Sequence, residues 1–137
     1  MKLLGFNFTK ISVERFLDTS ENLKINTNVD IGEIKKIKED IFKGKEDFMG
    51  VKFTFTVDYD PNIAKIELKG TILLSVDPKT AKDVLKQWEE KKIPEKFKLV
   101  VFNTILRKAN IKALQLEEDM GLPLHITLPH VKAEDKK

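Results

Sequence analysis

The chain contains no cysteine, and several other residue types that carry chemistry are scarce. The absence of cysteine excludes disulfides, thiolate zinc sites and thiol nucleophiles. Its six glycines form neither a G-x-G-x-x-G pattern nor a P-loop, and its two histidines are few for a metal site. No apolar run approaches the roughly 18 residues that a membrane span requires. These absences disfavour metal, thiol and nucleotide chemistry, and we expect a cytoplasmic protein without cofactor.

The candidate catalytic groups are isolated from one another. His125 and His130 flank Pro129, and in an extended segment their spacing gives them opposite parity. No acidic pair nearby completes a metal site, so we interpret both histidines as structural. Asp58 and Asp60 lie where a strand meets a proline turn, which is a common position for aspartate. We therefore predict no catalytic residues, no metal site and no enzymatic activity.

The composition indicates a charged, globular protein of one domain. Hydrophobic residues make up 41% and charged residues 34% of the 137 residues. The net charge of +3 comes from 25 basic and 22 acidic residues, which are interspersed throughout. Aromatic residues of the predicted strands share faces with aliphatic ones, which disfavours base stacking and nucleic-acid binding. We predict one domain over residues 1–131 and a polar tail over 132–137.

The first half of the chain has the two-residue alternation of strands. Strands are predicted at residues 4–15, 23–31, 51–59 and 64–76. The alternation changes phase near Thr9 and Lys10, and again at Gly32, which predicts a bulge at each place. After Gly32, residues 33–40 prolong the second strand. Polar or glycine-containing corners and loops are predicted at residues 18–22, 41–50 and 60–62.

The second half has helical periodicity and clear helix boundaries. Asp77 is a predicted N-cap with Pro78 at the first helical position, and this helix closes near 89–92. Pro94 opens a second helix over 94–120, which would be about 40 Å long at ~1.5 Å per residue. Strands followed by helices predict an α+β fold, in which a four-stranded antiparallel sheet packs with one short and one long C-terminal helix.

The long helix is apolar on two faces and therefore needs two partners. The face predicted to pack on the sheet comprises Leu99, Phe102, Ile105, Leu106, Ala109, Ala113, Leu116 and Met120. The opposite face comprises Phe97, Val100, Val101, Ile111 and Leu114. This second face needs the C-terminal segment, the first helix or another subunit as its cover, and we predict that it forms the interface of a homo-oligomer, either a dimer or a tetramer.

A proline-framed segment follows the long helix. Gly121 is a predicted C-cap, because glycine readily takes the left-handed conformation that ends a helix. The stretch "GLPLHITLP", residues 121–129, then alternates apolar and polar residues. Its leucines and isoleucine would share one face, so we predict a strand-like strap that covers the helix or the sheet.

Four of these stretches resemble the SecB family of export chaperones. They are "FNFTKISVE" at 6–14, "VKFTFTVDY" at 51–59, "IPEKF" at 93–97 and "GLPLHITLP" at 121–129. The order of four antiparallel strands, a short helix and a long helix is similar to that family's monomer. The divergence of the stretches favours a distant, archaeal relative over a typical bacterial member.

The resemblance implies an ATP-independent holdase that binds extended apolar segments of unfolded or precursor proteins, with protein export as one setting. It implies assembly of dimers into a tetramer, and a client groove between the sheet and the helix or strap. The predicted lining is Phe6, Phe8, Leu23, Ile25, Phe53, Phe55, Leu124, Ile126 and Leu128. The alternatives are an adaptor or toxin–antitoxin-associated chaperone with one cognate protein partner, and a nucleic-acid-binding module.

Overall fold

A computed structural model of the chain describes residues 1–18, 22–37 and 46–133. Its elements are β1 (Lys2–Arg15), β2 (Lys24–Ile37), β3 (Asp47–Asp60), β4 (Ala64–Val76), α1 (Pro78–Trp88) and α2 (Glu95–Met120). The strands form one antiparallel sheet in the order β1-β4-β3-β2, so β1 and β2 are its edges. The predicted α+β fold is confirmed. Parts of the predicted corner, second strand, loop and tail lie outside the described residues.

Both predicted bulges are present. The pairing of β1 with β4 shifts register between Phe8 and Lys10, and that of β2 with β3 shifts between Ile31 and Glu33. Because of the first shift, Phe8 and Ile11 lie on the same inner face of the sheet, opposite Gly70 and Leu68 of β4. A third shift near the start of β1 was not predicted from the sequence.

Strand β3 begins four residues before its predicted start. The loop prediction is therefore wrong for residues 47–50; residues 41–45 lie outside the described residues. Met49 is fully buried on the inner face, which continues the alternation of the strand. Gly50 lies on the outer face, where an added Cβ would come 3.1 Å from the Ile37 Cδ1 atom. The glycine that suggested a loop thus makes room for a neighbouring side chain.

The predicted helix boundaries are confirmed by the cap geometry. The Asp77 carboxylate accepts a hydrogen bond of 3.0 Å from the Thr80 N–H, and Pro78 is the first residue of α1. Pro94 directly precedes α2. Gly121 has φ 64°, so it ends α2 in the left-handed conformation. No helix among the described residues is long and apolar enough to cross a membrane.

The face of α2 that contacts the core differs from the predicted one. Its buried residues follow a four-residue step: Phe97, Val101, Ile105, Ala109, Ala113 and Glu117. Each such step advances about 40° around the helix axis, so the buried stripe winds around α2 as the helix crosses the sheet. The sheet-facing prediction is wrong for Leu99 and Leu106, which are 54% and 37% exposed. The interface prediction is corrected for Phe97 and Val101, which are each 1% exposed within the single chain.

Candidate functional site

Three phenylalanines form an aromatic cluster on the inner face of the sheet. The Phe6 ring lies 5.1 Å from that of Phe8 and 5.4 Å from that of Phe53, between ring centroids. Gly70 on β4 makes this arrangement possible, because a Cβ there would lie 2.7 Å from Phe53 Cζ. The Phe53 ring therefore extends across β4 toward β1. This cluster joins the core to the edge of the sheet.

The inner face of β1 is only partly covered. Leu3 and Ile11 are 42% and 48% exposed, and Phe6 and Phe8 are half-buried. We call these four residues the β1 strip; their partners on β4 place all four on the inner face. Strand β1 is also an edge of the sheet. An apolar surface therefore lies beside backbone groups that no other strand of the described chain pairs.

The predicted groove residues do not form one continuous groove. Phe53 and Phe55 are 2% and 0% exposed, so both are core residues and the prediction that they line an open groove is corrected. Leu23 borders a small cavity of about 260 Å³, which the start of the C-terminal segment also lines through Leu122. Ile25 is half-buried and pairs with Tyr59 across the sheet. Of the predicted set, only Phe6 and Phe8 belong to the β1 strip.

The C-terminal segment is not a strand, so the strand-like prediction is wrong. Residues 122–133 have no regular secondary structure. Leu124 and Ile126 are half-buried, whereas Leu128 is 49% exposed. The segment is held against the sheet and α2 by a few hydrogen bonds. Its prolines disfavour a paired strand.

His125 provides the first of these contacts. Its ring Nδ1 lies 2.7 Å from the Oε2 atom of Glu117, and its Nε2 lies 2.7 Å from the Oδ1 atom of Asn110. The backbone N–H of His125 also donates to Glu117, over 3.2 Å. His130, in contrast, is exposed. His125 is therefore a buried contact residue of the segment, and a structural role for His130 stays a prediction.

Tyr59 provides the second contact. Its hydroxyl donates a hydrogen bond of 2.5 Å to the Pro123 carbonyl. Burial, together with the adjacent Glu117 carboxylate, raises the pKa of Tyr59 well above its ordinary value. Glu117 therefore lies beside Tyr59 and His125, and its burial was not predicted from the sequence. The four-residue step that includes Glu117 is recognisable only in the fold, because the sequence offers two apolar faces on α2.

Helix α2 presents apolar side chains away from the core. Leu99 and Leu106 are 54% and 37% exposed and lie on one side of the helix, and we call them the α2 outer residues; Ile111 is 53% exposed but lies on a different side. Of the predicted interface, Ile111 is thus exposed, while Val100 and Leu114 are half-buried. The two exposed leucines, about two turns apart, make this side of α2 a candidate interaction surface.

A cleft that the sequence analysis missed lies beside the other edge strand. Its volume is about 670 Å³, and β2, α1, α2 and the connection between the helices line it. The side chains that characterise this lysine cleft are Trp88, Lys91, Lys92, Ile93, Lys98 and Phe102. Lys91 and Lys98 are close to Trp88 and Phe102 in the sequence, but only the fold brings these pairs together beside the edge of β2.

The two acidic residues considered for catalysis differ in exposure. Asp58 is half-buried, and the exposed Asp60 accepts a hydrogen bond of 3.0 Å from the Asn26 side chain. Across residues 1–18, 22–37 and 46–133, no three histidine, aspartate or glutamate side chains gather as a metal ion would require.

Comparison with known proteins identifies the fold. No protein-family model matches the chain, and no curated protein matches its sequence. Among solved structures, the chain is similar to a Mycobacterium tuberculosis SecB-like chaperone in complex with a ChAD peptide from the HigA1 antitoxin. The TM-score is 0.55 at 9% sequence identity, over 97% of this chain and 91% of that one. The resemblance drawn from the sequence is confirmed at the level of architecture: the chain has a SecB-like fold.

Proposed function

We propose that the chain is an ATP-independent chaperone that binds extended apolar segments of unfolded or precursor proteins. The observation that carries the proposal is the β1 strip, a partly exposed apolar surface along an edge strand. An extended client segment can cover this surface and pair with the backbone of β1 at the same time. The SecB-like fold supports this assignment.

The mechanism requires only binding. Each Å² of apolar client surface removed from water contributes about 25 cal/mol, without readout of a specific sequence. Backbone hydrogen bonds at a strand edge are equally independent of the client sequence. By mass action, bound client is withdrawn from the pool that aggregates. Such a holdase works without nucleotide hydrolysis.

We further propose that the α2 outer residues pack against a second copy in a homo-oligomer, a dimer or tetramer. Leu99 and Leu106 leave apolar surface uncovered on one side of α2 in the single chain. A neighbouring α2 would bury them as in other helix–helix packings. Introducing glutamate at Leu106 should then lower the mass measured by light scattering at micromolar concentration. An unchanged mass, or a wild-type monomer, would contradict this interface.

A second candidate is an adaptor or toxin–antitoxin chaperone that serves one cognate protein. It is favoured by the structural neighbour, which is in complex with a peptide from an antitoxin. An adaptor would ignore unrelated unfolded proteins, whereas a holdase would bind many. The nucleic-acid alternative is less favoured, because outer-face lysines such as Lys10 and Lys52 pair with Glu67 and Glu33.

The test is suppression of aggregation of several unrelated unfolded proteins at stoichiometric amounts of the chain. Replacing Leu3 and Ile11 by serine should raise the amount needed for half-suppression about fivefold or more, since both side chains supply apolar contact area. Leu17→Ser is the matched control, because Leu17 is 49% exposed and lies outside the β1 strip. Binding should tolerate salt, unlike binding to nucleic acid. Absence of suppression by the wild-type chain would overturn the holdase.

A further inference from the structure

The lysine cleft combines positive charge with aromatic surface beside an unpaired strand edge. Three lysines line it, and the only carboxylate in its lining belongs to Asp30. The Nζ of Lys91 lies 4.4 Å from the centre of the Trp88 ring, and that of Lys98 lies 5.6 Å from the Phe102 ring. Cationic groups held over aromatic faces leave a surface that is apolar at its base and positive at its rim.

The lysines of this cleft make few close ion pairs within the described chain. Among the described residues, neither Lys91 nor Lys98 has a carboxylate oxygen within 4.0 Å. Lys92 approaches Glu90 at 3.6 Å, but both side chains are more than 70% exposed, so the pair contributes little. A negative group entering the cleft would therefore find at least two cations without a competing partner.

The backbone places Lys91 there by an unusual conformation. Its φ of 59° is left-handed, and it follows α1 where hydrogen bonds to the Trp88 and Gln87 carbonyls close the turn. Glycine or asparagine usually occupies such a position, and a residue with a Cβ costs about 1 kcal/mol or more. A lysine in this place directs a long cationic side chain over Trp88, which glycine could not do.

We propose that the lysine cleft binds an extended peptide segment in which an acidic side chain neighbours a large apolar or aromatic one. The apolar side chain would contact Trp88 and Phe102, and the carboxylate would lie near Lys91 and Lys98. Val29–Ile31 of β2 form one wall, and β2 is an edge of the sheet, so the peptide backbone can add to it as a strand. A polypeptide can contact the aromatic rings, the lysines and the edge of β2 at once. This inference rests on the proposed function and adds a selection for acidic segments to it.

The chain carries its own probe, because Trp88 is its only tryptophan. We would titrate the full chain with three nine-residue peptides of serine and threonine around a central phenylalanine flanked by glutamate, glutamine or lysine. Trp88 fluorescence should report the glutamate peptide binding about tenfold more tightly than the lysine peptide, with the glutamine peptide between them. The preference should shrink as salt is raised, because the cleft is open to solvent.

Two double variants distinguish the effect of the cleft lysines from the effect of the net charge of the chain. Replacing both Lys91 and Lys98 by glutamine should reduce the acidic preference to about twofold or less. The matched control replaces Lys82 and Lys96, which are exposed on α1 and α2 outside the cleft, and so changes the net charge equally. This control should keep the preference. All four lysines are on the surface, so circular dichroism should show both variants folded.

The outcomes are decisive. Equal affinity for the glutamate and lysine peptides would overturn the inference, as would equal losses in the cleft and control variants. Stronger displacement by a short oligonucleotide than by the acidic peptide would assign the cleft to nucleic acid instead. If the chain suppresses aggregation but shows no preference for the acidic peptide, the chaperone proposal is supported and this inference is refuted. Acidic preference without suppression would support the cleft and refute the holdase.

Discussion

Glu117 and His125 form a buried pair that fastens the C-terminal segment to the long helix. Both the ring Nδ1 and the backbone N–H of His125 donate to the one carboxylate. The exposed fractions of the two side chains are 0% for Glu117 and 2% for His125. A buried carboxylate needs such partners, because leaving it unpaired is costly. The pair therefore explains how a segment without secondary structure keeps its place.

Removing the histidine ring should destabilise the fold strongly. His125→Ala leaves the Glu117 carboxylate buried without its ring partner, and we expect a loss of about 3–5 kcal/mol in the free energy of unfolding. Chemical denaturation followed by circular dichroism measures this change. His130→Ala is the control, because His130 is exposed, and it should change stability by less than about 0.5 kcal/mol. Similar losses for the two variants would contradict the buried pair.

Tyr59 should remain protonated for as long as the chain is folded. Burial and the Glu117 carboxylate raise its pKa, so its stabilising contribution is complete below the pKa of an unfolded tyrosine, about 10, and is lost at higher pH. Because Tyr59 is the only tyrosine, its phenolate absorbance reports this residue alone. The absorbance should appear together with alkaline unfolding. Ionisation near pH 10 in the folded chain would refute this prediction.

Gly70 should not accept a side chain. In Gly70→Ala the new Cβ would lie 2.5 Å from the Asn7 carbonyl oxygen and 2.7 Å from Phe53 Cζ. Because the first contact is with backbone, the strand must shift, and we expect a loss of about 1–3 kcal/mol in the free energy of unfolding. Gly32→Ala is the control, since its Cβ would meet only ordinary contact at 3.9 Å. Equal stability of the two variants would exclude the close packing of Phe53 over Gly70.

The cap of α1 should make stability depend on acidity. The Thr80 hydroxyl and N–H donate to the Asp77 carboxylate, and these bonds lower the pKa of Asp77. A lowered pKa contributes stability above the ordinary aspartate pKa, and this stability disappears as the pH falls through the lowered value. Asp77→Asn keeps a capping acceptor but does not titrate. Thermal unfolding in the acid range should therefore vary less with pH in this variant than in the wild-type chain.

Local features of the fold were predictable where a residue type or a pattern is strongly associated with one backbone conformation. The phase changes of the alternation located the bulges at Thr9–Lys10 and Gly32, because a strand cannot otherwise keep its apolar side chains on one face. Asp77 and Gly121 located helix ends for similar local reasons. In each case the cause lies within a few residues of the effect.

The predicted packing of α2 failed because two apolar faces cannot be ranked from a helix alone. Leu99 and Phe97 have similar hydrophobicity, yet the first is 54% and the second 1% exposed. The angle at which α2 crosses the sheet decides between them. The groove prediction for Phe55 failed for a related reason, because the sequence does not show which segment covers an apolar strand face. In the structure the Phe55 ring contacts His125, which Glu117 holds in place.

The sequence by itself determined the element order, the strand faces, two of the three bulges and the helix caps, because alternation and capping act over short distances along the chain. Only the tertiary structure decided which apolar residues remain open and which polar residues are buried. The Phe6–Phe53 contact, the Tyr59–Pro123 hydrogen bond and the lysine cleft each join elements that are distant in sequence. Contacts of that kind depend on how the layers cross, and no local pattern records the crossing.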